Sequence, residues 1–431
     1  MTPGARLAAA IDILDEISGL RRPAALVLKE WGAKHRFAGS GDRAAISAIV
    51  YDTLRVRASA AWIMGEESGR ALVLGAMKLV RGMDSAALGK LCSGQAHAPD
   101  QLDQIEIEKL ENASLTQAPA HVQANVPEWL AKYLVRAFGD KFADEMEALR
   151  HRAPVDLRVN TLLSSRQKVR AALQHLNAEN TPLSPWGLRI APGKDGRGPA
   201  LAAEPAFARG RIEIQDEASQ LAALLSGAQG GWQVLDLCAG AGGKTLALAA
   251  MMNNRGQVYA TDSDGRRLMP LYKRLEKSGA RNVQVRAPRG AHDILADLDE
   301  RCHLVFADAP CTGSGTWRRN PDAKWRIRPG ALEQRMREQD EVLEAAVRFV
   351  RPGGRIVYVT CSFLREENED RISAFLENHS EFAPVEVSAL AQSSGVPEIG
   401  RYSSPHGPGI RLSPVSSGAD GFYIAVLSRV A

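Results

Sequence analysis

From Arg211 onward the chain alternates short apolar runs with amphipathic stretches, and no other feature restricts its fold so tightly. The runs are WQVLDLC, GQVYATD, NVQVRA, HLVFADAP, GRIVYVTCS and GFYIAVLSRV. Strands alternating with helices predict a mostly parallel sheet with right-handed crossovers, so the expected class is α/β, a doubly wound, Rossmann-like domain. Such sheets receive ligands outside the carboxyl ends of their strands.

The remainder reads differently. From Leu7 to about Phe142 the apolar spacing is helical, and Ile46, Ile49, Val50, Leu54, Ala58, Ala61 and Trp62 are expected on one face of one helix. A linker is expected near Ala113–Pro127. Between Pro154 and Arg211 the runs VDLRVNTLL and WGLRIA, punctuated by Pro and Gly, suggest a small α+β module. The expected organisation is a helical domain over 1–142, the module over 143–212 and the α/β domain over 213–431.

No run of about 18 apolar residues occurs, so neither a membrane span nor a signal peptide is expected, and a cytoplasmic location follows. Five cysteines, odd in number and without C-x-x-C spacing, argue against a disulfide framework and a structural zinc site; no metal is expected. The net charge of +4 permits a polyanionic partner without requiring one. The segment Trp317–Pro329, WRRNPDAKWRIRP, sets five basic side chains against one acid and carries two tryptophans. Guanidinium groups neutralise phosphate and indoles stack on unpaired bases, so the segment suits single-stranded RNA, with a solvated loop as the plainer reading.

Asp236-Leu-Cys-Ala-Gly-Ala-Gly-Gly-Lys-Thr245 follows an apolar run and opens an amphipathic one. A dinucleotide fingerprint counted from Gly240 fails at Thr245, where its third glycine belongs. A P-loop ending in Gly243-Lys244-Thr245 fails at Cys238, where its first glycine belongs. A short turn of small residues preceded by an acid remains, and it suits S-adenosylmethionine, whose ammonium and ribose need acceptors more than a phosphate cradle. Asp262 closes the next run, at the right distance to accept from the ribose hydroxyls.

Asp308-Ala-Pro-Cys311 ends one expected strand and Thr360-Cys361-Ser362 a later one, so both thiols should face one pocket. A single cysteine is most often a small core residue, which fits Cys92 and Cys302, and Cys238 is expected to pack within the turn. The pair beside an acid and a methyl donor means more. Carbon 5 of cytosine is too poor a nucleophile to attack a sulfonium methyl, but a thiolate adding at carbon 6 makes an enamine that can. Asp308 is the available group to stabilise charge near ring N3, and a base must later remove the carbon 5 proton.

DLCAGAGGKT, ATDSDGRRL, DAPCTGSGTWRRNPD, YVTCSFLREENE and DGFYIAVL, in that order, resemble the motifs of the RsmB/Sun-type RNA cytosine-5 methyltransferases. LRVNT at 157–161 and IQDEASQL at 214–221 resemble the segments leading into that catalytic domain, a class I methyltransferase fold. The resemblance implies S-adenosylmethionine as cofactor and RNA as partner. It makes Cys361 the nucleophile, Cys311 the residue assisting release, and Asp308 and Lys244 the catalytic acid and lysine. The cofactor would be bound by Cys238, Ala239, Gly240, Ala241, Gly242, Gly243 and Lys244, with Asp262 and Asp308. Residues 1–142 resemble the NusB-type RNA-binding domain of bacterial 16S rRNA enzymes, which favours small-subunit rRNA as substrate and a monomeric enzyme. Two departures stand out: Gly240-Ala241 replaces the usual Ala-Pro, and the Gly-Asp-Ala that supplies an acid to adenine is absent after NVQVRA, where Pro288-Arg289 follows and Asp293 is the next candidate acid.

Two rival readings are a methyltransferase acting on a small molecule or protein and an RNA-binding assembly factor without catalysis. The first leaves the paired thiols unexplained, and the second leaves Cys361, Cys311, Asp308 and Lys244 without purpose.

Overall fold

The computed structural model describes residues 1–193, 198–290 and 292–430. The chain forms two compact units, one chiefly Met1–Arg152 with Thr316–Pro329, the other chiefly Ala153–Ala191, Pro199–Gly315 and Gly330–Ala431. None of the described helices is long and apolar enough to cross a membrane.

The first unit is helical, and local chemistry sets its helix ends. Thr2 accepts from Ala5 N at 3.2 Å to cap Pro3–Leu20, and Asp103 with Glu106 forms a reciprocal capping box on Gln104–Glu111. Gly65 and Gly82, at φ 71° and 63°, close Arg57–Met64 and Gly69–Arg81 in the left-handed conformation that glycine adopts without strain. Ile13, Leu14, Ile46, Val50, Leu54 and Leu74 share one core. The single helix expected through 46–62 is instead two, Ser40–Arg55 and Arg57–Met64, meeting at Val56. The break re-phases the apolar face: the second helix buries Ala60, Ile63 and Met64 and leaves Trp62 43% exposed.

Thr316–Pro329 packs as part of this helical unit, which corrects its reading as an open RNA-stacking loop. Trp317 is 1% exposed. The Trp325 indole packs on the helical core and donates to Leu54 O at 2.8 Å. Asp322 accepts from Ala24 N at 3.2 Å, and Lys324, buried, donates to Arg55 O at 3.3 Å. Of the five basic side chains only Arg328 is exposed. Burying two indoles is worth more here than displaying them, since each removes a large apolar area from water.

The second unit holds two sheets. The smaller is antiparallel, built from β1 (Val155–Val159), β2 (Glu179–Asn180), β3 (Gly187–Ile190) and β4 (Ile212–Ile214) in the order β2-β3-β1-β4. β1 and β3 are the two runs expected from the sequence. The LRVNT residues tie this sheet to the larger domain: Arg158 donates to Gln215 Oε1 at 2.6 Å, and Asn160 to Ser278 O at 2.7 Å.

The larger sheet comprises β5 (Gln233–Asp236), β6 (Gln257–Ala260), β7 (Val283–Val285), β8 (Cys302–Asp308), β9 (Val350–Thr360), β10 (Phe382–Pro384), β11 (Ile410–Leu412) and β12 (Phe422–Arg429). Its order is β10-β12-β9-β8-β5-β6-β7, with β11 on β12. β5 to β9 run parallel, as expected, and β12 enters antiparallel beside β9. All six expected runs form strands. β10 and β11, three residues each, carry too little alternation to be read beforehand. Helices Glu217–Leu225 and Gly243–Met251 bury Leu221, Leu225, Leu248 and Ala249 with Val234, Val258, Leu304 and Val357 of the sheet.

Candidate active site

The parallel strands release their carboxyl ends at one edge, and the chemistry-bearing residues follow immediately. After β5 comes the glycine turn. Gly240 and Gly242 take φ 48° and 80°, and a Cβ on Gly242 would lie 2.2 Å from Leu271 Cδ1, so only glycine fits there. Gly240 N donates to Asp262 Oδ2 at 3.0 Å, which joins the turn to the end of β6. The Asp262 carboxylate also accepts from Arg267 Nη1 at 3.1 Å.

A cavity of about 510 Å³ opens beside this turn, lined by Cys238, Asp262, Ser263, Pro288, Asp293 and Pro310, among others. Its volume lies within the range of small-molecule and cofactor sites. Asp293 does stand in the wall where the missing Gly-Asp-Ala left an acid unassigned, its carboxylate 2.7 Å from Arg348. Cys238, expected both to pack within the turn and to meet the cofactor, lines the cavity.

The charges at the turn suit a cationic ligand. Asp236 is 1% exposed; its Oδ2 accepts from Thr245 Oγ1 at 2.6 Å, and its Oδ1 has no protein partner. Burial, reinforced by the charges of Asp308 and Asp262, pushes its carboxyl up to about 7. Three carboxylates thus share the neighbourhood with Lys244. With Arg267 paired to Asp262, three carboxylates face two cations here, an excess of negative charge that a cationic ligand such as S-adenosylmethionine would fit.

Cys311 and Cys361 follow β8 and β9, and their Sγ atoms lie 3.4 Å apart. Beside them Lys244 Nζ donates to Asp308 Oδ2 at 2.6 Å. Burial works against the Lys244 ammonium, yet the charge and hydrogen bond of Asp308 outweigh it and hold the amine above its ordinary range, with Cys361 adding in the same direction. Cys311 is held well above the usual thiol range by its hydrogen bond with Cys361, then by burial, then by the charges of Cys361 and Glu367. Cys92 and Cys302 are buried core residues, as expected.

The sequence of residues 222–428 matches the model of the family described as 16S rRNA methyltransferase RsmB/F, and 126–195 match the ferredoxin-like domain of RsmF/B-like methyltransferases. The chain is 31% identical over 381 residues to the probable ribosomal RNA small subunit methyltransferase B of Synechocystis sp., covering 87% of this chain and 79% of that protein. The chain belongs to the RsmB/F family of 16S rRNA methyltransferases. Its relative from Enterobacter sp., ribosomal RNA small subunit methyltransferase B, is 33% identical over 306 residues, covering 70% of this chain and 66% of that one. The crystal structure of PH0851 superposes with a TM-score of 0.77 at 25% identity, covering 100% of this chain and 99% of that one. This RsmB/F-family chain is therefore an RNA methyltransferase with S-adenosylmethionine as its cofactor.

Two groups at the site were missed beforehand. Asp236 was read as the acid that precedes the glycine turn but was not named among the site residues. Glu367, one of three acids in LREENE, gave no signal; Glu369 is buried as well, and only the bonds to Thr312 and Ser362 distinguish Glu367.

Proposed function

We propose that this enzyme methylates carbon 5 of a cytosine in small-subunit rRNA through a covalent bond between Cys361 and carbon 6. The reading rests on one observation, two thiols 3.4 Å apart at adjacent strand ends beside the Lys244–Asp308 pair. S-adenosylmethionine supplies the methyl group as an electrophilic sulfonium. Cys361, as thiolate, adds its electron pair to carbon 6; the ring π electrons move toward N3, which takes the proton that Lys244 passes through the Asp308 carboxylate. The Cys311 thiol donates its hydrogen bond to the Cys361 sulfur and lowers the cost of that charge. Once Cys361 is a thioether, its hydrogen bond and charge no longer raise Cys311, which leaves burial and the Glu367 charge to do so. Cys311 then loses its proton to water and accepts the one on carbon 5, whose C–H electrons restore the ring double bond as the S–C6 bond breaks, its electrons return to Cys361 and N3 gives its proton back to the Asp308–Lys244 pair.

The names of the relatives favour small-subunit rRNA as substrate. The helices of residues 1–142 supply a NusB-like RNA-binding domain, and 143–212 a module linking it to the methyltransferase domain over 213–431. Trp62 and Trp129 line a cavity of about 750 Å³ in the helical unit and offer RNA two indole rings, with Arg328 at the rim and Arg57 paired to Glu67.

The test incubates each variant with 16S rRNA and labelled cofactor. Cys361→Ala should abolish methyl transfer while retaining cofactor binding, and Cys311→Ala should accumulate a denaturant-resistant protein–RNA adduct. Methylation by the Cys361 variant would reverse the assignment.

A further inference from the structure

We propose that Glu367 is the positioning residue that sets Cys311 and Cys361 in register. The inference rests on the reading of these two thiols as the catalytic pair. Glu367 is completely buried, yet its carboxylate touches neither sulfur. It holds the residue after each. Oε1 accepts from Thr312 N at 2.7 Å and from Gln339 Nε2 at 3.2 Å; Oε2 accepts from Thr312 Oγ1 at 2.5 Å and from Ser362 Oγ. Thr312 follows Cys311 and Ser362 follows Cys361. Gln339 also donates to Pro310 O at 2.9 Å, so the Cys311 turn is gripped on both sides.

Four donors converge on one carboxylate, two of them N–H groups that cannot accept, and these bonds favour the ionised Glu against the burial that raises its carboxyl. Its neighbour completes the clamp. Asn368 donates to Ser362 O at 2.9 Å and accepts from Thr360 Oγ1 at 2.5 Å, bracketing Cys361. The two turns leave different strands, β8 and β9, and beyond the sheet Gly315 N donates to Cys361 O at 2.9 Å and Phe363 N to Ser314 Oγ at 2.8 Å, while Glu367 ties together the residues that directly follow the two cysteines. The clamp acts on geometry, since a misplacement of about 1 Å between reacting groups costs roughly 100-fold in rate.

The test uses full-length Glu367→Gln and Thr312→Val. Diamide, a two-electron azo oxidant, removes two electrons and two protons from a thiol pair and leaves a disulfide, so its rate with Cys311 and Cys361 reports their alignment without any methyl transfer. Calorimetry of S-adenosylmethionine binding and a thermal melt confirm folding. In folded Glu367→Gln, disulfide formation should slow at least about tenfold and kcat fall roughly 100-fold, with KM for RNA and cofactor affinity within about twofold. Cross-linking at the wild-type rate would overturn the proposal. Slowed cross-linking with unchanged kcat would support the clamp and overturn the catalytic reading of the pair. Should Glu367→Gln not fold, Thr312→Val removes one hydroxyl tie and keeps the backbone one. A smaller fall in both rates is expected, and wild-type rates would overturn the proposal.

Discussion

The ammonium of Lys244 lies 2.6 Å from Asp308 Oδ2 and 5.4 Å from the centre of the Phe422 ring, a charge held between an acid and an aromatic face. Lys244→Met removes the only lysine among three carboxylates and should lower the single-turnover methylation rate by about 10²–10³-fold. Lys244→Arg should restore part of it, since charge returns without the compact geometry. Wild-type rates for Lys244→Met would exclude the proton relay.

Removing Cys361 should change Cys311. Its hydrogen bond and charge both raise the Cys311 value, so Cys361→Ala should bring the pH midpoint of Cys311 alkylation down toward the ordinary thiol range. Rates of iodoacetamide labelling against pH, read by mass spectrometry, would show an unmoved midpoint if the two thiols act separately.

Lys324 links the helical unit to pH. Burial, with Arg55 and Arg150 nearby, pushes its amine down to about 7 from an ordinary value of 10.5. Between those values the unfolded chain binds the extra proton, so stability is present at high pH and is lost as pH falls through about 7. Lys324→Met should therefore raise Tm near pH 6.5 by about 3–6 °C and do little at pH 10.5. Tryptophan emission is the suitable probe, because Trp317 and Trp325 flank the site.

Asp293 is the acid left to meet the cofactor where the usual motif is missing. Asp293→Ala should weaken S-adenosylmethionine binding about tenfold, or about 1.4 kcal/mol, by calorimetry. Its ion pair with Arg348 is half-exposed on both sides and screened by solvent, so thermal stability should be little changed. Unchanged affinity would leave adenine to be held by the cavity's apolar wall.

What the sequence made legible follows from how local each signal was. The six apolar runs and the two cysteines closing β8 and β9 were readable because strand ends and glycine turns are written in consecutive residues. Trp317 and Trp325 misled because composition does not say which face of a segment is buried; Trp317 is buried, and the Trp325 indole turns toward a helix that precedes it by more than 250 residues, as its bond to Leu54 shows. Glu367 was invisible for a related reason. Its partners Thr312 and Gln339 approach only when the sheet is assembled, and an acid among acids carries no mark of burial.

The close passage of Gly315 and Gly421 has a consequence for biogenesis. Gly315 N donates to Cys361 O at 2.9 Å and Gly315 O accepts from Gly421 N at 2.9 Å, so closely that a Cβ on Gly315 would meet the Gly421 oxygen at 2.0 Å. A ribosome will have polymerised both thiols, the acid and the cofactor turn well before it reaches Gly421. The nascent chain nonetheless lacks the backbone against which the cysteine turn is seated. Competence thus arrives with the strand that follows Gly421, and a chain interrupted before it holds every reactive group without their arrangement.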